Sequence, residues 1–268
     1  MIKLAVFDID RTLIAPEIGV IAPETLAALK QLQQKGIKIA IASGRLFSFL
    51  QPELLEVGFD YYIMSNGCYV TDRDGNILAR ERLDPDLPEA FSREMIRKDL
   101  PFNIRYCMGQ RTGNPNCTVQ ERMAPIWEKR KFKAKPPKAF LEEYEPKDGE
   151  EPICFGGFIP EEYLPEFSRK FPRLSFLPVF ESPMCDVNPA GISKATGLAR
   201  ICGLLAIDIS QTIAFGDDRN DLEMIETAGI GVAMGNGIQA VKNAADYVTA
   251  SSEKLGVVLA LQHFKLID

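Results

Sequence analysis

The chain has 268 residues, of which 46% are hydrophobic and 25% charged, so it is long enough for one large globular domain or two modest ones. Its formal net charge of −6 argues against a nucleic-acid binder, which would usually be basic. The single histidine, His263, argues against hydrolases with a histidine base and against zinc sites built from several histidines.

The first 65 residues alternate short apolar runs with helical patterns. KLAVFDI is typical of a central parallel strand, and IKIAIAS and YYIMSNG repeat that pattern. Between them, APETLAALKQLQQKG predicts a helix that begins at Pro23 and ends near Gly36, and Pro52–Val57 predicts a shorter one. This β-α-β-α-β order predicts a doubly wound parallel α/β sheet.

The alternation then stops. YVTDRDGNILAR predicts a hairpin with Asp74 and Gly75 at its turn. From about Asp84 to Ser182 the chain is richer in proline, aromatic and charged residues, with short strands predicted at FNIRYC, PICFGGFI and RLSFLPVF. We interpret this segment as a separate α+β cap domain inserted into the sheet domain.

The doubly wound pattern resumes with the helix SKATGLARICGLL, the strand QTIAFG, the helix DLEMIETAG and the strand IGVAM. We therefore predict a discontinuous Rossmann-like core, residues 1–82 and 184–268, with the cap at residues 83–183. Within the cap, KRKFKAKPPK (Lys129 to Lys138) has six basic residues and no acid. A solvated loop or strand edge is the favoured interpretation, and a cap surface that attracts anionic substrates is the alternative.

Cysteine usage and the N-terminal sequence bear on location. The six cysteines are scattered without a Cys-x-x-Cys pair, which predicts reduced thiols and a cytoplasmic protein. MIKLAVFDIDRTL lacks a signal-peptide pattern, and no apolar run is long enough to span a membrane. We expect neither a membrane nor a nucleic acid as partner, and the sequence leaves a monomer and a homodimer equally open.

Polar clusters follow four of the predicted strands. They are Asp8 with Asp10, Ser43-Gly44-Arg45, Ser65-Asn66-Gly67 and the segment Gly216–Asp221. In an open parallel sheet, ligands bind beyond the carboxyl ends of the strands, so these clusters are expected to converge on one site. An aspartate after a strand is often only a helix cap, but this combination of groups favours function.

The chemistry of these groups points to a phosphate ester. Asp8, Asp10 and Asp217 offer hard oxygen ligands, which suit Mg²⁺. Ser43 with the backbone N–H groups of Gly44 and Arg45, expected at a helix start, would cradle a phosphate. Lys194 would bring positive charge to the transferring phosphoryl group.

In the absence of a nearby histidine, a carboxylate must act as nucleophile or base. An aspartate can be phosphorylated directly, giving an aspartyl-phosphate intermediate. A second carboxylate two residues further on, as in Asp8 and Asp10, can protonate the leaving oxygen and then activate water.

The sequence closely resembles the haloacid dehalogenase-like phosphatase superfamily, in its Cof-type branch (subfamily IIB). DIDRTL is similar to the first motif of that family, ASGR to the second, NPAGISKATGL to the third and GDDRNDLEM to the fourth. GIGVAMGNG, VKNAADYVT and GVVLAL also resemble its C-terminal pattern. The resemblance covers both parts of the predicted core, and the inserted segment matches the family's α/β cap in position and length alone.

The resemblance implies a role for each matching residue. Asp8 would be the nucleophile and Asp10 the general acid and base, with Thr12 orienting the loop carboxylates. An Asp8 oxygen, the Asp10 carbonyl and Asp217 would hold Mg²⁺. The remaining implied site residues are Asn220 at the phosphate, Asp221 orienting Lys194 or the metal's water shell, and Asn66 and Gly67 lining the site. The cap would close over the substrate and choose the leaving group.

Two positions depart from the family's pattern. Arg11 replaces the usual glycine, and Asp218 makes the fourth motif unusually acidic. The favoured interpretation of Arg11 is a solvent-facing side chain paired loosely with an acid such as Glu17. The alternative is that Arg11 contacts the anionic substrate.

The predicted function is a Mg²⁺-dependent phosphatase of small phosphorylated metabolites, such as sugar phosphates, nucleotides or flavin mononucleotide. A phosphotransferase or phosphomutase with the same aspartyl phosphate is the alternative within the superfamily. A non-catalytic phospho-ligand sensor is disfavoured, since a sensor need not retain Asp8, Asp10, Lys194 and Asp217.

Overall fold

The computed structural model describes residues 1–16, 19–130, 142–179 and 182–268, which form two compact units. The strands are β1 (Leu4–Phe7), β2 (Lys38–Ala42), β3 (Tyr61–Met64), β4 (Tyr69–Asp72), β5 (Ile77–Arg80), β6 (Phe102–Arg105), β7 (Gln110–Thr112), β8 (Cys154–Phe158), β9 (Leu174–Pro178), β10 (Met184–Pro189), β11 (Thr212–Gly216), β12 (Ile230–Ala233) and β13 (Tyr247–Val248). The helices are α1 (Pro23–Gln34), α2 (Pro52–Glu56), α3 (Leu87–Arg97), α4 (Val119–Arg130), α5 (Leu164–Lys170), α6 (Lys194–Leu205), α7 (Leu222–Thr227), α8 (Gln239–Ala244) and α9 (Gly256–His263).

The first unit comprises Met1–Gly44, Leu50–Ala79 and Ser193–Asp268. Its eight-stranded sheet has the order β13-β12-β11-β1-β2-β3-β4-β5. The strands from β13 to β3 pair in parallel, and β4 is antiparallel to β3. The predicted α/β class with a doubly wound parallel sheet is confirmed.

Strand β1 lies at the centre of this sheet, where the strand order changes direction. All four of its residues are buried, because both faces of the sheet are covered. The chain runs from β1 outward to β2 on one side, whereas β11 on the other side comes from the far end of the sequence. Such a switch point leaves a crevice at the carboxyl ends of the strands.

The second unit comprises Arg45–Phe49 and Arg80–Ile192, and its five-stranded antiparallel sheet has the order β7-β6-β8-β10-β9. One face of the sheet is apolar and packs on helices α3 and α5. There the ring of Phe91 stacks on Phe155, with centroids 4.4 Å apart. Because side chains alternate along a strand, the opposite face carries polar residues, including Arg105 and Asp186.

The unit boundaries differ from the predicted ones at both ends of the insertion. Residues 184–189 were predicted to belong to the core, but they form β10, which pairs with β8 and β9 of the second sheet. The first unit therefore resumes at Ser193, and it ends at Ala79 rather than at residue 82. The basic stretch Lys129–Lys138 lies almost wholly outside the described residues, as does Glu17.

Among the residues that the structure describes, no helix combines the length and the apolar character needed to cross a membrane.

Candidate active site

Loops that follow neighbouring strands of the first unit bring the candidate residues together. Asp8 follows β1 directly, Ser43 follows β2, and Asp217 follows β11. Since β1 lies between β2 and β11 and all three strands are parallel, their carboxyl ends meet at one edge of the sheet. The predicted convergence of these clusters is therefore a property of the strand order.

Lys194 lies at the centre of the site, and its side chain is fully buried. Its Nζ donates to Asp8 Oδ1 and to Asp221 Oδ1, each at 2.6 Å. Burial alone would lower the pKa of Lys194, but the carboxylates of Asp221 and Asp8 raise it above its ordinary value. The lysine is therefore a fixed positive charge against the proposed nucleophile.

The start of helix α6 sets the position of Lys194, which is its first residue. The Ser193 backbone N–H donates to Thr196 Oγ1 at 3.2 Å, which satisfies one free donor of the first turn. Gly67, with φ of 97°, passes so close that a Cβ there would lie 2.0 Å from the Ser193 carbonyl oxygen. Gly197 likewise lets α6 approach Ile63 on β3. Small residues thus hold the lysine close to the strand ends.

Asp221 organises the loop after β11. Its Oδ2 accepts hydrogen bonds from the backbone N–H groups of Asp217, at 2.9 Å, and Asp218, at 3.0 Å. Its Oδ1 accepts from Lys194. Both oxygens of Asp221 therefore have donors already, as the predicted orienting role requires, and a place for Asp221 at the metal stays a prediction.

Asp217 differs from Asp221 in having one oxygen without a hydrogen bond. Its Oδ1 accepts from Thr12 Oγ1 at 3.2 Å. Its Oδ2 is buried and accepts no hydrogen bond among the described residues, although Arg11 Nε lies 3.4 Å away. A buried, negatively charged oxygen without a donor suits a cation as its partner.

The surplus of buried acid shifts the pKa values of two carboxyls upward. Burial raises the pKa of Asp8 well above its usual range, and Lys194 opposes this rise. Burial also raises the pKa of Asp217 to about 7, with a further rise from Asp221 and opposition from Arg11 and Lys194. Additional positive charge beside these residues would favour the ionised form of both carboxyls.

The donor set fits a divalent cation. Carboxylate oxygens of Asp8, Asp217 and Asp221 all lie within 4.8 Å of one another, and all three residues are buried. Hard oxygen donors without thiolate or imidazole are the ligands that Mg²⁺, Ca²⁺ or Mn²⁺ prefer. Asp10, predicted to contribute its carbonyl oxygen, is half-buried in the turn that follows Ile9.

Arg11 is part-exposed and lies beside an acid, as the favoured interpretation expected, but the acid observed there is Asp217. Its Nη2 donates to the Asn236 carbonyl oxygen at 2.6 Å, and its Nε lies beside Asp217. Asn236 returns a hydrogen bond, from Nδ2 to the Arg11 carbonyl oxygen, at 2.8 Å. Asp217 comes into reach of Arg11 only when β1 and β11 pair, whereas Glu17 lies outside the described residues. A substrate contact stays a prediction.

Ser43, Asn66 and Asn220 form a second chain of contacts. The Ser43 carbonyl oxygen accepts from the Asn66 N–H at 2.9 Å, and Asn66 Oδ1 accepts from Asn220 Nδ2 at 2.9 Å. Asn66 has φ of 54°, in the left-handed region that asparagine tolerates better than most residues. These contacts join the side chains of Asn66 and Asn220 to each other and the Asn66 backbone to the Ser43 backbone.

The predicted helix start at Gly44 and Arg45 is wrong. A 3-10 turn at Phe47–Phe49 follows instead, and the α-helix begins only at Pro52, where the proline ring suits the first turn. The backbone N–H groups of Gly44 and Arg45 therefore gain no support from a helix dipole. Arg45 is grouped with the second unit, and its role at a phosphate stays a prediction.

Sequence reasoning assigned no role to Asn236 or Arg200. Asn236 joins three loops, since its Oδ1 also accepts from the Ser252 N–H at 2.8 Å. Arg200 Nη1 donates to the Gly67 carbonyl oxygen at 2.8 Å and so supports the turn after β3. The Gly235-Asn236-Gly237 sequence after β12 marks a polar turn at a strand end, which would have been a usable clue.

A family model of the haloacid dehalogenase-like hydrolases matches residues 5–261. The chain belongs to this family. The HMP-PP phosphatase of Serratia proteamaculans is 31% identical to it over 273 residues, covering 98% of this chain and 96% of the relative. These matches span both units.

Solved structures agree with this assignment. The phosphatase BT1666 of Bacteroides thetaiotaomicron has 33% sequence identity and a TM-score of 0.84, covering 100% of this chain and 96% of its own. The subclass IIB sugar phosphatase BT4131 has 29% identity and a TM-score of 0.83, covering 99% and 100% of the two chains. The predicted Cof-type, subclass IIB membership is confirmed, and the protein is a phosphoric monoester hydrolase.

Proposed function

We propose that this hydrolase removes phosphate from small phosphorylated metabolites with the help of Mg²⁺, through a phosphoryl group carried on Asp8. The observation that carries the proposal is the buried contact of Lys194 Nζ with Asp8 Oδ1, beside the donor-free Asp217 Oδ2. Asp8 and Asp217 lie at adjacent strand ends and Lys194 at the start of α6, so a carboxylate, a fixed cation and a cation-binding oxygen lie close together.

In the first half of the reaction, an Asp8 carboxylate oxygen attacks phosphorus and the bond from phosphorus to the ester oxygen breaks. Asp10 donates a proton to the departing oxygen, so the alcohol leaves neutral. Lys194 holds Asp8 in place and favours its ionised form, and Thr12 holds Asp217 through its hydrogen bond. Ser43, Asn66 and Asn220 bind the phosphoryl oxygens in this proposal.

In the second half, the ionised Asp10 removes a proton from water, whose oxygen attacks phosphorus and releases inorganic phosphate. Asp8 is regenerated as a carboxylate, and Asp10 regains the proton it gave away. Asp8, Asp217 and the Asp10 carbonyl oxygen would hold the Mg²⁺ ion, with Asp221 acting through Lys194 and the loop backbone. The ion would supply positive charge that offsets charge on the phosphoryl oxygens.

The relatives support a substrate class of small phosphate esters. HMP-PP and sugar phosphates are the substrates named for two of them, and we extend that class to this chain as part of the proposal. A cytoplasmic location also belongs to the proposal, supported by six cysteines that are all free thiols.

The test is a phosphate-release screen over sugar phosphates, nucleotides, flavin mononucleotide and HMP-PP, with Mg²⁺ and with EDTA. Asp8→Asn is expected to lower kcat by at least about 1000-fold on any substrate that the wild type hydrolyses. Glu94→Gln, a neutralised buried acid in the other unit, is the matched control and should retain activity. Wild-type turnover by Asp8→Asn would refute the nucleophile, and a strict requirement for a sugar bisphosphate would indicate a mutase.

A further inference from the structure

The contact between Arg11 and Asp217 raises a question about the cation site. Asp217 Oδ2 is the oxygen that the proposed function assigns to a divalent cation, and the Arg11 guanidinium lies beside it. Two cations cannot share one carboxylate oxygen without mutual repulsion. The arginine and the metal therefore compete for the same position.

The backbone of Arg11 indicates that the side chain is held there at a cost. Its φ of 68° lies in the left-handed region, which a glycine adopts freely and an arginine rarely does. Asn236 Nδ2 donates a hydrogen bond to the Arg11 carbonyl oxygen in this conformation. A residue that retains a strained backbone is expected to gain compensating interactions from its side chain.

A second contact, with a backbone carbonyl oxygen and not with a carboxylate, orients the guanidinium of Arg11. Arg11 Nη2 donates to the Asn236 carbonyl oxygen at 2.6 Å, and Asn236 is in turn tied to Ser252. The turn that contains Asn236 also contacts the loop that contains Asp217, since the Ile238 N–H donates to the Asp217 carbonyl oxygen at 2.9 Å. Arg11 is therefore anchored beside Asp217 from outside the acidic cluster. The arginine side chain is 36% exposed, so its other side faces solvent.

We propose that Arg11 is a built-in counter-ion for Asp217, which stabilises the metal-free site and weakens its affinity for divalent cations. This inference rests on the proposed function in one respect, that Asp217 is a metal ligand. Arg11 is a positioning residue here: it acts on the ligand and has no role at the reacting atoms.

The experiment measures binding of Mn²⁺ alone by electron paramagnetic resonance, with Mg²⁺ as competitor and no substrate. Arg11→Gln keeps the side-chain length and the backbone strain but removes the charge. We expect its dissociation constant for Mn²⁺ to fall at least about 5-fold below the wild-type value. In EDTA its Tm should be lower by about 2–4 °C, and Mn²⁺ should restore more of it than in the wild type.

Two further variants make the result specific. Arg11→Lys retains a positive charge and should bind Mn²⁺ with an affinity closer to wild type. Arg219→Gln removes the same charge from an exposed position in the Asp217 loop and should leave the dissociation constant within about 2-fold. If Arg219→Gln lowered the dissociation constant for Mn²⁺ as much as Arg11→Gln does, net charge alone would explain the change, and the inference would be overturned.

Other outcomes separate this inference from the proposed function. A wild-type protein that binds no Mn²⁺ would overturn both. Wild-type binding with an unchanged or weaker affinity in Arg11→Gln would overturn only the role of Arg11. If that unchanged affinity came with a raised KM, the result would support the substrate contact predicted from the sequence instead.

Discussion

Each of the two units buries a carboxylate among charged neighbours, and the two environments have opposite effects. In the first unit, Asp217 lies beside Asp8 and Asp221, and its pKa is raised to about 7. In the second unit, Glu94 on α3 is 3% exposed, but hydrogen bonds from Arg97 and Lys170 outweigh burial and lower its pKa to about 2. Burial is therefore common to both, and the balance of charge differs.

The difference distinguishes a cluster with balanced charge from one with an excess of acid. Glu94 pairs with two cations, Arg97 and Lys170, and a third, Lys98, has its Nζ 4.0 Å from Glu94 Oε1. Glu94 is therefore stable as an ion without a ligand. The carboxylates around Lys194 outnumber their cations, so the first unit keeps an unfavourable surplus of acid. Proteins tolerate such a surplus where a ligand or cation offsets it.

The largest expected effect comes from breaking the first cluster at Lys194. Lys194→Met should destabilise the protein by about 3–5 kcal/mol at pH 8 in EDTA, because Asp8 and Asp221 lose their shared buried cation. Urea unfolding followed by circular dichroism measures the change. Phosphatase activity should fall with it. A variant as stable as the wild type would show that the ion pair contributes nothing.

Addition of a divalent cation is expected to have the next largest effect. At about 100 times its dissociation constant, Mg²⁺ should stabilise the wild type by about 2.7 kcal/mol, measured as a rise in Tm. The gain should be larger at pH 8 than at pH 6, since Asp217 must lose its proton to bind a cation and its pKa is raised to about 7.

Asp217→Asn should lose most of that gain, whereas Glu94→Gln should keep it. An equal rise in Tm in both variants would place the cation somewhere other than the first cluster.

The third prediction concerns acid stability and the second cluster. The pKa of Glu94 is lowered to about 2, so its contribution is complete above about pH 4.5 and is lost as the pH falls toward 2. We expect that loss to be about 1–3 kcal/mol, reduced from the full shift because Arg97 is 61% exposed. Stability curves between pH 2 and 5 should be shallower for Glu94→Gln. If the curve of Glu94→Gln superimposed on that of the wild type, the lowered pKa of Glu94 would make no contribution to acid stability.

The smallest effect should come from Lys170, which contacts Glu94 but is 49% exposed. Lys170→Met is expected to cost about 1 kcal/mol or less, because solvent screens the pair and Arg97 remains. The same lysine-to-methionine change at buried Lys194 should cost several times more. Chemical unfolding of the two variants side by side provides the measurement, and similar costs would remove the distinction drawn between the clusters.

Much of the first unit was predictable because its strands are continuous apolar runs that end in polar residues. The runs before Asp8, Ser43 and Asp217 each became a parallel strand, and the order of such strands in a doubly wound sheet brings their ends together. The contact of Asp8 with Lys194 depends in addition on the start of α6, which packs closely on the turn after β3.

The features that were missed depend on distant partners. Strand β10 has the sequence MCDVNP, which lacks a long apolar run, and it forms because β8 and β9 pair with it. The contact of Arg11 with Asn236 joins residues 225 positions apart, and no local pattern encodes it. The helix expected at Gly44 failed because local sequence favours a 3-10 turn before Pro52.

The position of β1 between β2 and β11 also affects the order in which the sheet can form during translation. Leu4 pairs with Lys38, which follows soon after it during translation, and with Thr212, which leaves the ribosome much later. Until Thr212 has emerged, β1 lies at an edge of the incomplete sheet, and Asp217 and Asp221, which follow β11, are not yet in place beside Asp8. Closing so large a loop is a late and slow step of folding. The cluster of Asp8, Asp217 and Asp221 can therefore form only after β11 has been synthesised and has paired with β1.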